Sequence, residues 1–316
     1  MRAMYTIALV FVLASASAQT TRNRFSFIAF GDMPYFLPDD YARFDNVIRE
    51  INLANPVFSI HLGDIKAGTA VCSDEYYATM VGYFNQFNNP LVYTPGDNDW
   101  TDCDRKEAGQ YDPQERLQKV RSVFYKDNKS FGKNKMELIS ESKEPEYSKF
   151  VENKQWFYNN ILFATLHAVG SSNNKIVASE KRMSEFDERN KANLHWLDEI
   201  FSNAKQTQKD AIVISTQADM FMVGKAQGFE DIIRKLTNLT IDFGKPVLLI
   251  NGDSHRFIMD KPLVMPVDPK INKARVVTNF TRLQSFGEMD MHAVKIIVDP
   301  SSKDVFQIEQ FIIRGN

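Results

Sequence analysis

Read for its apolar and polar positions, the chain alternates two kinds of segment. Residues 25–30, 57–62, 91–94, 161–166, 211–215 and 247–250 are short, nearly continuous apolar runs rich in aromatic and β-branched side chains. Such runs predict strands buried on both faces. Between them, apolar residues recur at helical spacing: Tyr41, Phe44, Val47, Ile48 and Ile51; Tyr76, Met80, Tyr83 and Phe84; Phe186, Leu194, Leu197, Ile200 and Phe201. Helices are expected over 41–51, 73–87, 113–125, 184–204 and 229–239, with Asp39-Asp40 as a cap for the first and Asn55-Pro56 and Asn89-Pro90 as stops. Residues 276–280, 292–298 and 305–313 read as closing strands without long helices between them. The alternation predicts an α/β fold built from βαβ units. A polar, charge-rich stretch at 104–147 breaks the pattern and reads as an insertion over a site.

The apolar runs share an ending. Gly31-Asp32, Gly63-Asp64, Gly96-Asp97 and Gly252-Asp253 each follow one, and Ser254-His255 follows the last. In open α/β sheets, ligands bind beyond the carboxyl ends of the strands. Gly-Asp is also common turn chemistry, and a single instance would be read as that. Four at strand ends place four carboxylates and an imidazole around one crevice. Carboxylates that close cannot all stay ionised without a compensating cation, so the pattern points to a metal site.

Composition narrows the setting. The 316 residues can bury a large core, to which 24 Phe and 11 Tyr contribute. A net charge of −2 leaves no electrostatic footprint for nucleic acid. Arg2, the apolar run 6–14 and Ala16-Ser17-Ala18 have the form of a secretory signal peptide over 1–18. That implies a secreted or periplasmic protein with one domain over 19–316. The leader's apolar run is too short to span a bilayer, and no other stretch is long and apolar enough. Cys72 and Cys103 follow the Asp64 and Asp97 strand ends. A disulfide between them beside the site is the preferred reading, with two free thiols or a further ligand pair as alternatives.

The order Gly-Asp, Gly-Asp, Gly-Asp-Asn-Asp, strand-Gln, Gly-Asp-Ser-His resembles the calcineurin-like metallophosphoesterase superfamily over about residues 25–260. The resemblance implies a four-layer α/β/β/α sandwich, with the late strands suiting the second sheet. It further implies two metals at the strand ends and hydrolysis of phosphate esters. Under it, Asp32 matches the aspartate of the first metal and Asp64 the carboxylate that bridges both. Asp97 stands where an asparagine binds the second metal, and Asn98 where a histidine assists the leaving group. Gln217 matches a histidine at a later strand end, and Asp253 and His255 match the two histidines of Gly-His-x-His. Pro34 replaces the histidine of the family's early Asp-x-His.

His255 is then the only one of the usual histidines retained. A carboxylate-rich set favours Mg²⁺, Mn²⁺ or Ca²⁺ over Zn²⁺ or iron. Ala67 stands where purple acid phosphatases carry their tyrosine. Asn98 cannot act as an acid, a role worth ~10²–10⁴-fold, so a slow enzyme or a good leaving group is expected. Lys66 and Arg256, each within two residues of a ligand position, are candidate phosphate contacts. His167, before the run 170–174, is a candidate for the substrate side. His61 and His195 read as structural and Asp99 as a loop-fixing carboxylate. The expected partner is a phosphate-ester substrate, and oligomeric state is left open. The competing reading is a non-catalytic secreted relative that binds a cation or phosphate.

Overall fold

The computed structural model describes residues 24–222, 224, 227–265 and 274–316; the expected signal peptide lies outside them. Twelve strands are described: β1 Phe25–Phe30, β2 Ser59–His61, β3 Leu91–Tyr93, β4 Ile139–Ser140, β5 Lys154–Tyr158, β6 Ile161–Thr165, β7 Ala211–Ser215, β8 Val247–Asn251, β9 Ile258–Asp260, β10 Phe280–Gln284, β11 Ala293–Val298 and β12 Phe306–Phe311. They form a five-stranded sheet, β12-β11-β1-β2-β3, and a seven-stranded sheet, β4-β5-β6-β7-β8-β10-β9. Strands β1-β2-β3 are parallel to one another, as are β6-β7-β8-β10.

The strand period of two explains why the runs are apolar throughout. Phe27, Ala29, Ile60 and Val92 of the first sheet meet Phe163, Val213, Leu248 and Leu283 of the second in a core between the sheets. Ile28 and Phe30 point the other way, onto helices Asp40–Ala54 and Asp74–Phe84. Leu162, Ile212, Ile214 and Leu249 face helices Glu180–Gln206 and Glu230–Phe243. Each central strand is therefore covered on both sides, and the layers run α/β/β/α as the resemblance implied.

Local chemistry sets the helix ends. The Ser73 hydroxyl accepts from Tyr76 N–H, and Asp112 accepts from the N–H groups of Gln114 and Glu115 ahead of Pro113–Phe124. Asp40 does not cap the first helix. Its Oδ2 instead accepts from Tyr35 N (3.0 Å) and Phe36 N (2.8 Å), folding the loop that follows Asp32.

Three expectations are corrected. Residues 276–280 are not a strand except at their end: Val276 only bridges Val264, and the strand is Phe280–Gln284. That strand looks polar because Arg282 pairs with Asp219 and Asp260 while Gln284 bonds Asn251 and Arg256. Strands β11 and β12 do not extend the second sheet. β11 pairs antiparallel with β1, so the chain crosses back to the first sheet. Residues 104–147 do not lie over the site. Leu117, Val120 and Phe124 pack in the first helical layer, Phe131 bridges Leu91 at the β3 edge, and Arg105 alone of the stretch borders the cleft described next.

Candidate metal centre

The Gly-Asp ends converge from both sheets. Asp32, Asp64 and Asp97 follow β1, β2 and β3, while Gln217 and Asp253 follow β7 and β8. Asp32, Asp64 and Asp253 have left-handed backbones with φ of 53°, 54° and 75°. Aspartate tolerates that region better than most residues because its short polar side chain bonds locally. The glycines serve close approach. A Cβ on Gly96 would fall 2.0 Å from Asp64 Oδ1, and one on Gly252 2.2 Å from Asp32 Oδ2. Each carboxylate thus rests against the glycine of a neighbouring strand end.

Asp32, Asp64 and His255 bring one ligand atom each within 4.8 Å of one another. His255 Nε2 lies 3.6 Å from Asp32 Oδ1, and its Nδ1 lies 3.0 Å from Glu288 Oε2. A hydrogen bond from Nδ1–H to Glu288 leaves the Nε2 lone pair facing the two aspartates, the usual support for a metal-binding imidazole. Tyr35 donates its hydroxyl to Asp64 Oδ2 at 3.0 Å and sits 3.5 Å from His255 Nε2. Burial holds the Asp32 and Asp64 carboxyls well above the ordinary range, Asp32 with help from Asp253 and Asp64 with help from Asp97 and Asp32. Carboxyls so placed take up protons or a cation. Two carboxylates and one oriented imidazole fit a divalent ion.

Around Asp97 the groups are different. Gln217 Oε1 accepts from Gly170 N–H at 2.6 Å, and its NH₂ donates to Asp97 Oδ1 (2.9 Å) and Asp64 Oδ2 (3.2 Å). Asn98 donates its main-chain N–H to Asp64 Oδ1 (3.0 Å) and its side-chain NH₂ to Asp64 Oδ2 (2.9 Å) and the Tyr35 hydroxyl (3.0 Å). Ser171 donates to Asp97 Oδ2 at 2.8 Å. Burial, then Asp253 and Asp102, pushes the Asp97 carboxyl up to about 8. Asp253 Oδ2 accepts from Asp219 N–H. Asp99 accepts from the N–H groups of Asp64, Ile65 and Gly96 and from the Tyr93 hydroxyl, tying the β2 and β3 ends together.

These groups open on a cleft of about 370 Å³, lined by Asp64, Asp97, Asn98, Arg105, Asp253 and His255 among others. A larger cavity of about 530 Å³, beside Pro246, Met259 and Phe306, holds none of the strand-end carboxylates and is remote from this chemistry.

Five predicted residues are not in the cleft lining: Asp32 and Gln217 are buried beside it, and Lys66, Arg256 and His167 are not among the site groups. Lys66 is fully buried, its ammonium donating to Ala67 O, and burial lowers it to about 8. Arg256 is exposed. His167 is buried against Trp100, with Nδ1 2.8 Å from Glu152. Its carbonyl accepts from Arg189 and Asn193. The sequence reading also missed Arg105, Tyr35, Ser171 and Glu288. Tyr35 directly follows the displaced Asp-x-His position, and Arg105 closes the polar run after Asp97, which were the available signals. Glu288 carried none. Cys72 and Cys103 form a disulfide (Cα–Cα 5.8 Å) that joins the loops after Asp64 and Asp97.

Compared by sequence, the chain matches no protein-family model and no curated protein. Compared by structure, it is similar to a dimetal phosphatase from Danio rerio, with TM-score 0.54 and 10% identity over 92% of this chain and 99% of that one. GAP50, the anchor in the inner membrane complex of Plasmodium, is similar at TM-score 0.49 and 12% identity, covering 93% and 90% of the two chains. The purple acid phosphatase PPD1 from yellow lupin is similar at 0.47 and 12%, covering 91% of this chain and 53% of that one. The chain has the calcineurin-like metallophosphoesterase fold.

Proposed function

We propose that this chain is a divalent-cation-dependent phosphoester hydrolase, acting as a single domain over 19–316 in a secreted or periplasmic setting. The Asp32–Asp64–His255 cluster carries the reading: its lone pairs converge in a cleft otherwise crowded with carboxylates, where a phosphate ester would be repelled unless a cation offset them. The disulfide supports an oxidising compartment. When bound, a divalent ion would neutralise these carboxylates, lower the pKa of a water and polarise the phosphoryl oxygens. Asp32, Asp64 and His255 would hold it, with Glu288 keeping the His255 proton on Nδ1.

The chain's other groups then divide the work. Arg105 borders the cleft, paired to Asp102 at 2.5 Å and about half exposed, and offers a guanidinium to a phosphoryl oxygen. Tyr35 and Asn98 fix the Asp64 carboxylate by hydrogen bonds. Asn98 has no transferable proton, so esters with good leaving groups are favoured. The Asn98 and Gln217 amides also support a second reading, a non-catalytic protein that binds a cation and phosphate. Hydrolysis of p-nitrophenyl phosphate and bis-p-nitrophenyl phosphate with added Mg²⁺, Mn²⁺ or Ca²⁺ separates the two. Turnover that depends on the cation and vanishes in Asp64→Asn is expected. Turnover no higher than that variant with every cation would leave the binding reading.

A further inference from the structure

We infer that this centre holds one cation, not two, because protein hydrogen-bond donors close the second position. The inference rests on the proposed cation site and narrows it. A second ion would need lone pairs from Asp64, Asp97 and residue 217 aimed at one point. An imidazole can present a lone pair there, whereas an amide presents either its oxygen or its NH₂. At Gln217 the choice is forced. The oxygen takes Gly170 N–H, so the NH₂ faces Asp97 and Asp64. Turning the amide over would set NH₂ against N–H on one side and oxygen against carboxylates on the other, leaving buried groups unsatisfied at both ends.

The carboxylates are correspondingly engaged. Asp64 Oδ2 receives the Asn98 amide, the Tyr35 hydroxyl and the Gln217 amide, which crowds the oxygen on the Gln217 side, while Oδ1 receives Asn98 N–H and retains a lone-pair direction for the first position. Asp97 receives Gln217 on one oxygen and Ser171 on the other.

Backbone fills the remaining space. A Cβ on Gly170 would stand 2.7 Å from Asp97 Oδ2 and 2.8 Å from Asp253 Oδ1, so the main chain rests directly on these groups. The turn that holds it there is unusual. Ser171, Ser172, Asn173 and Asn174 have φ of 48°, 56°, 55° and 60°, a left-handed run without glycine. Buried partners hold it: Asn173 accepts from Arg189 and Val169 N–H and donates to Gly228 O. Side chains at 171 and 217 and the peptide at 170 thus take the place a second ion would occupy.

The first position contrasts with this. There the Asp32 carboxylate accepts from Asp253 N–H, and His255 Nε2 keeps its lone pair toward the aspartates.

Titrating chelator-treated protein with Mn²⁺ by calorimetry, alongside its electron paramagnetic resonance spectrum, tests this. One equivalent with an uncoupled six-line spectrum is expected. Asp97→Asn should keep that stoichiometry, while Asp32→Asn should weaken binding by more than about tenfold. Two equivalents with an exchange-coupled spectrum would overturn the inference and leave the proposed function standing. No bound Mn²⁺ would overturn both.

Discussion

At the scale of single residues, function turns on which atom of a side chain faces the cleft. Asn98 and Gln217 stand where the sequence resemblance implies imidazole, yet both aim protons at Asp64. Arg105 is the counterpart, a cation missed in sequence because its charge is partly spoken for by Asp102. Arg105→Ala should raise KM for p-nitrophenyl phosphate roughly ten- to hundredfold, the worth of a hydrogen bond to a charged group, with a smaller change in kcat. The side chain is about half exposed, so the fold should survive, and an unchanged KM would remove Arg105 from the substrate side. The misplaced candidates share one cause. Lys66, Arg256 and His167 were chosen for nearness along the chain to strand ends, and nearness carries no direction. Lys66 turns inward to Ala67 O, and His167 is captured by Glu152, which arrives from the turn before β5.

At the scale of elements, the strand-to-Gly-Asp unit works through contact between neighbours. Gly96, at the end of β3, makes room for the Asp64 carboxylate delivered by β2, and Gly252 after β8 does the same for Asp32 after β1. Gly96→Ala should therefore displace Asp64 and abolish cation binding, with the melting temperature lowered as well because Asp99 ties the same loops. Calorimetric Mn²⁺ binding by that variant at the wild-type level would show that the approach is not needed. Apolar runs and helical spacing made these elements readable, whereas the one cap expected, Asp39-Asp40, makes no side-chain cap bond and caps form at Ser73 and Asp112. Strand β10 was placed four residues too early because its polar side chains are satisfied by Asp219, Asp260 and Asn251, all remote in sequence.

At the scale of the molecule, the layers trap ionisable groups outside the cleft. His61 on β2 is buried between the first sheet and its helices, with Phe30, Phe84 and Tyr93 rings 4.9, 5.0 and 5.9 Å away. Burial lowers its pKa to about 3. The folded value lies below the unfolded one near 6.5, so the folded state favours neutral imidazole. Nothing is lost at pH 7; as pH falls below about 6.5 the unfolded chain takes a proton that the folded chain refuses, and stability declines down to about pH 3. From pH 7 to pH 5 this one residue should cost about 2 kcal/mol. Urea unfolding at both pH values should show a correspondingly shallower acid loss in His61→Phe, and parallel losses in the two proteins would assign the decline elsewhere.

The sequence by itself determined the α/β class, the apolar strands that end in Gly-Asp, and where along the chain the candidate centre would be assembled. Those features are local: two-sided burial makes a run apolar, and a carboxylate packed on a neighbouring strand end demands glycine. Only the tertiary structure decided that β11 and β12 return to the first sheet, that Tyr35, Glu288 and Arg105 join the site, and that the Gln217 amide faces inward. The orientation of that amide depends on Gly170 N–H, held by a turn whose partners lie on the Glu180–Gln206 helix and in the loop at Gly228. A side chain's polarity is written in its residue type, but the direction of its lone pairs is set by the groups that fold against it.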